Sequence, residues 1–323
     1  MKKLTKGLLI LFVLIGILVA IGYHFINFTF VEEPLLTGHF ETNTITVDGI
    51  ERQYYTYTPT TVSPTAIVIA LHGSKNDGIA ARRSFGYRFD ELADQHGFIV
   101  VYPNGFENHW NDCRVAAPYS ANTQNIDDVN FLRTLKATIA NQHKLEQPKA
   151  YLTGISNGGH MVLRMALEAP NSFDAFVPVI ANMPTPENLG CNQTQQPVSI
   201  AFMNGTADPL NPYNGGEVAL YGMSKRGTVI STDASIEYWR NLANANQLES
   251  KKNLADLNTG DDSTVEVSRW SSNNGHNIAL FSVKGGGHST PHTKQRMPRV
   301  LGGTNQDVNA ADLIWQFSTH QID

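Results

Sequence analysis

Short apolar runs alternate with amphipathic segments along most of the chain. The runs are rich in β-branched residues and lie at Ala66–Leu71, Phe98–Tyr102, Ala150–Thr153, Ala175–Ile180, Val198–Met203 and Ile278–Val283. Segments with helical periodicity lie at Ala80–Ala93, Asp127–Ala140, Gly158–Leu167, Ala234–Ala243 and Val308–Phe317. Strands that are apolar throughout are typical of a parallel sheet covered by helices on both faces. The pattern predicts an α/β fold with a mostly parallel, twisted sheet.

Two features interrupt this alternation. The β-rich runs Thr42–Val47 and Gln53–Thr58 flank an Asp-Gly dipeptide, which predicts an antiparallel hairpin before the parallel strands. The stretches Asn104–Asn125 and Pro209–Thr232 follow neither period. Loops of this length in a compact domain are usually functional or disordered.

The N-terminal 30 residues have the pattern of an export signal. Three lysines precede an apolar stretch from Gly7 to Tyr23. Because no Ala-x-Ala-like cleavage site follows, we favour an uncleaved signal anchor over a cleaved signal peptide. Both alternatives predict an extracytoplasmic (periplasmic or secreted) protein, with residues 31–323 forming a single catalytic domain.

Composition excludes several classes of protein. The 323 residues carry a formal net charge of −5 and no basic run, which argues against nucleic-acid binding. Two cysteines are too few for a four-thiolate zinc site. In an oxidising compartment Cys113 and Cys191 either form a disulfide, which we predict, or remain two separately buried thiols.

A nucleophilic serine is predicted at Ser156. The pentapeptide Gly154-Ile155-Ser156-Asn157-Gly158 lies between an apolar strand and a helical segment. This is the context of the G-x-S-x-G elbow, in which glycines let a strained serine stand above the sheet edge. The alternative is a glycine-rich helix start.

A serine hydroxyl needs an imidazole to accept its proton, and His288 is the best candidate base. It follows the last predicted strand and a run of three glycines. His292 is the competitor, four residues further on. His72 and His160 are interpreted as structural or pocket residues.

Asp208 is the candidate that orients the histidine, because it directly follows the strand Val198–Met203. Asp174 and Asp233 lie at the entrances of other elements, where capping explains them. The order Ser, Asp, His along the chain is that of α/β-hydrolases.

Two backbone amides are predicted to stabilise a negatively charged oxygen in the transition state. One is that of Asn157, which follows the nucleophile, and the other is that of Ser74, at the end of the strand Ala66–Leu71. The alternative for Ser74 is a plain turn.

The two long loops are predicted to supply the substrate pocket. Trp110 and Tyr119 are the candidates in the first loop. In the second, the segment Asn211–Thr232 is predicted to cover the site with an apolar face formed by Val218, Leu220, Tyr221 and Met223. Leu220 and Met223 are predicted to set the acyl-chain preference. Loop packing is the alternative in both cases.

These motifs, in this order, resemble the polyhydroxybutyrate depolymerase and feruloyl esterase branch of the α/β-hydrolases. The resemblance spans roughly Thr42 to Phe317. The matching segments are Leu71-His72-Gly73, Tyr102-Pro103-Asn104-Gly105, Trp110 with Cys113, Asp127-Asp128-Val129, Gly154-Ile155-Ser156-Asn157-Gly158-Gly159, Asn182-Met183-Pro184, Asn204-Gly205-Thr206-Ala207-Asp208-Pro209 with Pro212-Tyr213, and Gly287-His288.

The resemblance implies an α/β-hydrolase fold and a serine esterase that cleaves carboxylic esters through an acyl-enzyme, without metal or cofactor. It implies Ser156, Asp208 and His288 as the triad, and a small or oligomeric ester (polyhydroxyalkanoate-oligomer, feruloyl or acyl-glycan type) as substrate. Membrane contact is expected only through residues 7–30. The sequence departs from the family at Ser289-Thr290-Pro291, where many members have an aromatic residue, and it contains no recognisable polymer-binding domain. These departures weaken the expectation that the protein digests solid polyester, and this point stays open.

Two other functions remain open at this point. A serine peptidase of related fold would share the triad, but it usually needs a large cap or charged subsites. A non-catalytic, anchored binding protein would have no reason to carry all three triad residues.

Overall fold

The computed structural model describes residues 2–223 and 225–321, without the side chains of residues 2–11 and 21. In this part of the chain a ten-stranded sheet has the order β1-β2-β4-β3-β5-β6-β7-β12-β11-β10. Its strands are β1 (His39–Val47), β2 (Ile50–Thr58), β3 (Ala66–Leu71), β4 (Phe98–Pro103), β5 (Lys149–Ile155), β6 (Ala175–Val179), β7 (Ile200–Gly205), β10 (Leu248–Asn253), β11 (Thr264–Ser271) and β12 (Asn277–Lys284). A separate ribbon pairs β8 (Gly216–Glu217) with β9 (Thr228–Val229).

The helices are α1 (Lys2–Ile26), α2 (Gly78–Ser84), α3 (Arg88–His96), α4 (Ser120–Thr123), α5 (Asp128–Gln142), α6 (Asn157–Glu168), α7 (Thr232–Ala243) and α8 (Ala310–Ser318). Short 3₁₀ turns lie at Pro170–Ser172, Pro186–Asn188 and Arg299–Leu301. Among the described residues, no helix combines the length and the apolar character that crossing a membrane requires.

The six apolar runs form the parallel centre of the sheet, as predicted. Successive side chains of a strand point to opposite faces. In β3, Ile67 and Ile69 pack in the apolar core that α5, α6 and α7 cover. Val68 and Ala70 pack in the core on the other face, under α2, α3 and α8. Both faces are buried, which explains why these strands are apolar throughout.

Antiparallel strands close both edges of the sheet. The N-terminal hairpin β1-β2 is confirmed, with Val47 opposite Ile50 and positive φ at both turn residues, Asp48 (53°) and Gly49 (77°). At the other edge β12, β11 and β10 run antiparallel. We did not predict β10 and β11 from the sequence. In β10 most side chains are exposed, so the apolar runs used to find the strands are missing there.

The predicted helix Ala80–Ala93 is two helices in the structure. The chain breaks at Gly86 (φ 61°) and Tyr87 (φ 60°). A Cβ at Gly86 would lie 2.0 Å from Nε2 of His292, so a remote segment packs directly against this turn. The helical periodicity of the sequence continues across Gly86 and Tyr87, so the sequence did not indicate the break.

The predicted division into residues 1–30 and 31–323 remains a prediction. Part of the predicted signal segment, the side chains of residues 2–11 and 21 and all of residue 1, lies outside the described part of the chain.

Candidate active site

Ser156 lies in the turn between β5 and α6, in a conformation that side chains rarely adopt, with φ 55° and ψ −114°. The flanking glycines permit this turn. A Cβ on Gly154 would lie 2.5 Å from the carbonyl oxygen of Gly158, and one on Gly158 would lie 2.5 Å from that of His72. Such a strained residue persists only where the surrounding structure holds it, and it commonly marks a functional site.

His288 and Asp208 meet at the same sheet edge, after β12 and β7. Nδ1 of His288 lies 2.7 Å from Oδ2 of Asp208. The other carboxylate oxygen, Oδ1, accepts hydrogen bonds from the backbone N–H groups of Leu210 and Asn211, each at 2.8 Å. Both oxygens of this buried carboxylate are therefore engaged, which fixes its direction toward the imidazole.

Ser156 and His288 line one cavity of about 250 Å³. Ser74 lines it as well, and Gly73 packs against Ser156, since a Cβ there would lie 3.6 Å from that of the serine. The backbone N–H groups of Ser74 and Asn157 have no acceptor among the described residues. The structure thus brings together the five residues predicted as triad and oxyanion hole.

His72 and His292 have structural roles in hydrogen bonding. His72 donates from Nδ1 to the carbonyl of Gly73 (2.7 Å) and accepts at Nε2 from the N–H of Gly105 (2.8 Å). Burial lowers the pKa of His72 to about 4, so it is neutral at physiological pH. His292 accepts at Nδ1 from two backbone N–H groups, those of Lys294 and Gln295.

Among the described residues, the side chains of Asp174 and His160 form no hydrogen bond with the triad, although the backbone N–H of His160 donates to the carbonyl of Ser156 at 2.9 Å. Asp174 binds the N–H of Ala150 and the ammonium of Lys149. His160 is buried, and burial lowers its pKa well below the usual value.

Asn157 has a second role that the sequence did not reveal. Its side chain donates to the carbonyl of Trp110 (3.0 Å) and accepts from the N–H of the same residue (2.9 Å). It also donates to Asp112 at 2.5 Å. Through these bonds the residue after the nucleophile fixes the long loop 104–125 against α6.

Trp110 was predicted to line the pocket, and this is wrong. The indole is fully buried, stacks with Phe131, and donates from Nε1 to the carbonyl of His72 at 3.0 Å. Tyr119 from the same loop does line the cavity, as predicted.

The sequence did not indicate that Arg114 or the disulfide belongs to the surroundings of the pocket. Arg114 lines the cavity and forms a buried ion pair with Asp112. Burial alone would raise the pKa of Asp112, but the guanidinium beside it holds this pKa below the ordinary value. The neighbouring Cys113 forms the predicted disulfide with Cys191, across 78 positions of the chain.

The second loop covers the site, but of the four apolar residues predicted for its covering face only Val218 lines the cavity. Leu220 and Met223 form a tight turn, closed by a hydrogen bond from the N–H of Met223 to the carbonyl of Leu220, and Met223 is 62% exposed. Neither lines the cavity. Leu210, Val218 and Arg226 do. The apolar pattern of the loop gave no indication of which side chains turn inward.

The chain is similar to known esterases. Residues 53–181 match the family described as Esterase PHB depolymerase. "Putative esterase NocK" of Nocardia uniformis subsp. tsuyamanensis is 24% identical over 78% of this chain and 73% of its own length. Feruloyl esterase B of Neurospora crassa is 35% identical over 38% of this chain and 41% of its own length. Acetylxylan esterase A of Aspergillus oryzae is 28% identical over 50% of this chain and 55% of its own length.

A solved structure confirms the fold. The acetyl xylan esterase from Aspergillus awamori superimposes with a TM-score of 0.50 at 15% identity, over 78% of this chain and 95% of the other. The resemblance predicted from the sequence is confirmed, as is the α/β-hydrolase fold.

Proposed function

We propose that the chain, which has the α/β-hydrolase fold, is a carboxylic-ester hydrolase with Ser156, Asp208 and His288 as its catalytic triad. One observation carries the proposal. The strained Ser156 shares a single cavity with His288, whose Nδ1 is held at 2.7 Å by Asp208.

The proposed mechanism runs through an acyl-enzyme. Because a carboxylate only accepts hydrogen bonds, Asp208 leaves the proton of His288 on Nδ1 and the lone pair on Nε2. Nε2 accepts the proton of Ser156 as its Oγ attacks the ester carbonyl. His288 then returns that proton to the leaving alcohol. A water molecule, deprotonated by the same nitrogen, then attacks the acyl carbonyl. The bond to Oγ breaks, Nε2 returns the proton to Oγ, and the acid leaves.

The negative charge that develops on the carbonyl oxygen needs donors that are already in place. The amides of Ser74 and Asn157 are proposed for this task, because both adjoin Ser156 and neither has an acceptor among the described residues. His72 supports one of them, since its bonds to Gly73 and Gly105 fix the turn that carries Ser74.

The proposed substrates are small or oligomeric esters. The relatives are named for acetylxylan and feruloyl esters. The cavity of about 250 Å³ can hold an acyl group of modest size, and Leu210, Ile180 and Val218 give it an apolar wall. Oligomers of hydroxyalkanoates are a third class of ester with suitable size.

The proposed location is outside the cytoplasm, with residues 31–323 as one catalytic domain and residues 1–30 as its signal or anchor. The lysines followed by an apolar stretch support export. The disulfide between Cys113 and Cys191 supports an oxidising compartment.

The experiment uses p-nitrophenyl esters from acetate to octanoate, followed by labelling with a fluorophosphonate. We expect hydrolysis, and label on Ser156 by peptide mapping. Ser156→Ala should abolish both. The matched control is Ser289→Ala, since Ser289 lines the same cavity while its hydroxyl is bonded to the carbonyl of Gly303. Full turnover by Ser156→Ala, or label on another residue, would refute the assignment.

A further inference from the structure

Two arginines from different loops line the cavity that contains Ser156, and in the described part of the chain only one of them has an anionic partner. Arg114 is buried and paired with Asp112. Arg226 has a buried Nη1 atom without a hydrogen-bond acceptor among the described residues. The two guanidinium carbons lie 5.8 Å and 5.9 Å from the ring centroid of Tyr119, which lines the same cavity.

The carboxylates around this cavity are already engaged. Asp112 binds Arg114 and Asn157, and Asp208 is held by His288. In the loop that carries Arg226, the carboxylate of Glu217 pairs with Lys225 at 3.1 Å. The exposed Lys75 adds another positive charge to the cavity wall. The described part of the cavity therefore carries an excess of positive charge.

An unsatisfied buried guanidinium nitrogen is costly, because it has lost water without gaining an acceptor. Such a group in a native protein needs an explanation, and Arg226 lines the cavity that contains Ser156, where a ligand can supply the acceptor. The planar fork of arginine suits the two oxygens of a carboxylate.

We propose that Arg226 is a specificity-determining residue that binds a carboxylate of the substrate, so that the preferred substrates are esters carrying an anionic group a few bonds from the scissile ester. The proposal rests on the proposed function, since it assigns a substrate class to the same cavity. The carboxylate belongs either to the acyl group or to the alcohol, and two substrate pairs distinguish these cases.

The test compares kcat/KM for charged and neutral esters of matched size. On the acyl side the pair is monomethyl adipate and methyl hexanoate. On the alcohol side it is 4-acetoxybenzoate and its methyl ester. We expect the wild-type enzyme to favour the charged member of one pair, and we expect Arg226→Gln to lower that charged-to-neutral ratio about tenfold or more, mainly through KM.

Lys225→Gln is the matched control, because it removes a neighbouring positive charge that is exposed and paired outside the cavity. It should leave the ratio unchanged. Arg226→Lys should lower the ratio less than Arg226→Gln does, because it keeps the charge and loses the fork. Raising the salt concentration should raise KM for the charged ester more than for the neutral one.

One measurement needs no variant. Two pairs are compared as competitive inhibitors of the wild-type enzyme, adipamate with adipamide for the acyl side and 4-hydroxybenzoate with 4-hydroxybenzamide for the alcohol side. We expect the carboxylate of one pair to bind more tightly than its amide. Equal binding in both pairs would overturn the proposal, as would an unchanged ratio in folded Arg226→Gln. Failure of the proposed function gives a different result, namely no turnover of any ester and no label on Ser156.

Discussion

Oδ2 of Asp208 accepts a hydrogen bond from Nδ1 of His288 at 2.7 Å, although 80 positions of the chain separate the two residues. The parallel strands β7 and β12 are neighbours in the sheet, with Gly205 opposite Val283, so the loops that follow them emerge side by side. Pairing of adjacent strands thus creates the contact.

This contact predicts the effect of Asp208→Asn. The amide keeps the shape of the side chain but presents a donor or an uncharged acceptor to Nδ1, which disturbs the tautomer and removes the charge that stabilises the imidazolium. We expect kcat to fall on the order of 10³-fold or more, with KM changed much less. Steady-state kinetics on a p-nitrophenyl ester measure this. A loss below tenfold would show that Asp208 does not orient the base.

The two histidines near the C-terminal loop should respond differently to replacement. His288→Ala removes the proposed base and should lower kcat by several orders of magnitude. His292→Ala removes the acceptor for the N–H groups of Lys294 and Gln295, so it should reduce stability while kcat of the folded protein changes little. Kinetics and thermal unfolding of both variants decide this. The opposite pattern would make His292 the base.

The disulfide should contribute to stability. The double variant Cys113→Ala/Cys191→Ala lacks this bond, which closes a loop of 78 positions in the unfolded chain. The added chain entropy of the unfolded state should lower the free energy of unfolding by about 4 kcal/mol. Urea unfolding should show a loss of this order, and reductant should shift the wild-type curve but leave the double variant unaffected. Quantitative alkylation of both cysteines in oxidised protein without reductant would contradict the pairing.

His72 should make the protein less stable in acid. Its pKa is about 4 in the folded state against 6.5 for the ordinary side chain, because burial disfavours the charged form. As the pH falls from 6.5 to 4, the unfolded chain takes up a proton that the folded protein does not, so the free energy of unfolding decreases by up to about 3 kcal/mol.

The measurement for His72 is urea unfolding at pH 7 and pH 4.5. His72→Gln lacks the titrating group, and its stability should fall less between these two values than that of the wild type. His39→Gln, at an exposed position, is the control and should behave as wild type. Equal decreases in all three proteins would exclude His72 as the source.

Val218, unlike Met223, should influence the preference of the enzyme for short or long acyl chains. Val218 lines the cavity and is buried, whereas Met223 is 62% exposed and outside it. Val218→Ala removes two methyl groups from the pocket wall, and each lost apolar contact is worth roughly 1 kcal/mol. The ratio of kcat/KM between butyrate and octanoate esters should therefore change several-fold. Met223→Ala should leave it within experimental error, and an equal effect of both would reject this assignment of the wall.

The candidate triad could be predicted from the sequence because each of its residues lies within four positions of the end of a buried strand. Apolar runs identified β5, β7 and β12, and parallel strands bring their carboxyl ends to one edge of the sheet. Ser156, Asp208 and His288 could therefore be named before their contacts were known. The N-terminal hairpin was equally accessible, since its Asp-Gly turn is a local signal.

The walls of the cavity were decided by the tertiary structure. Trp110 and Met223 have the residue types expected in a pocket, yet one packs in the core and the other faces solvent. Arginine is a residue type expected on the surface, yet Arg226 lines the cavity. Long loops take their conformation from distant contacts, such as the bonds of Asn157 to Trp110 and the disulfide of Cys113. Strand order follows from a hydrophobic pattern repeated along the chain, whereas the direction of a loop side chain depends on residues far away in sequence.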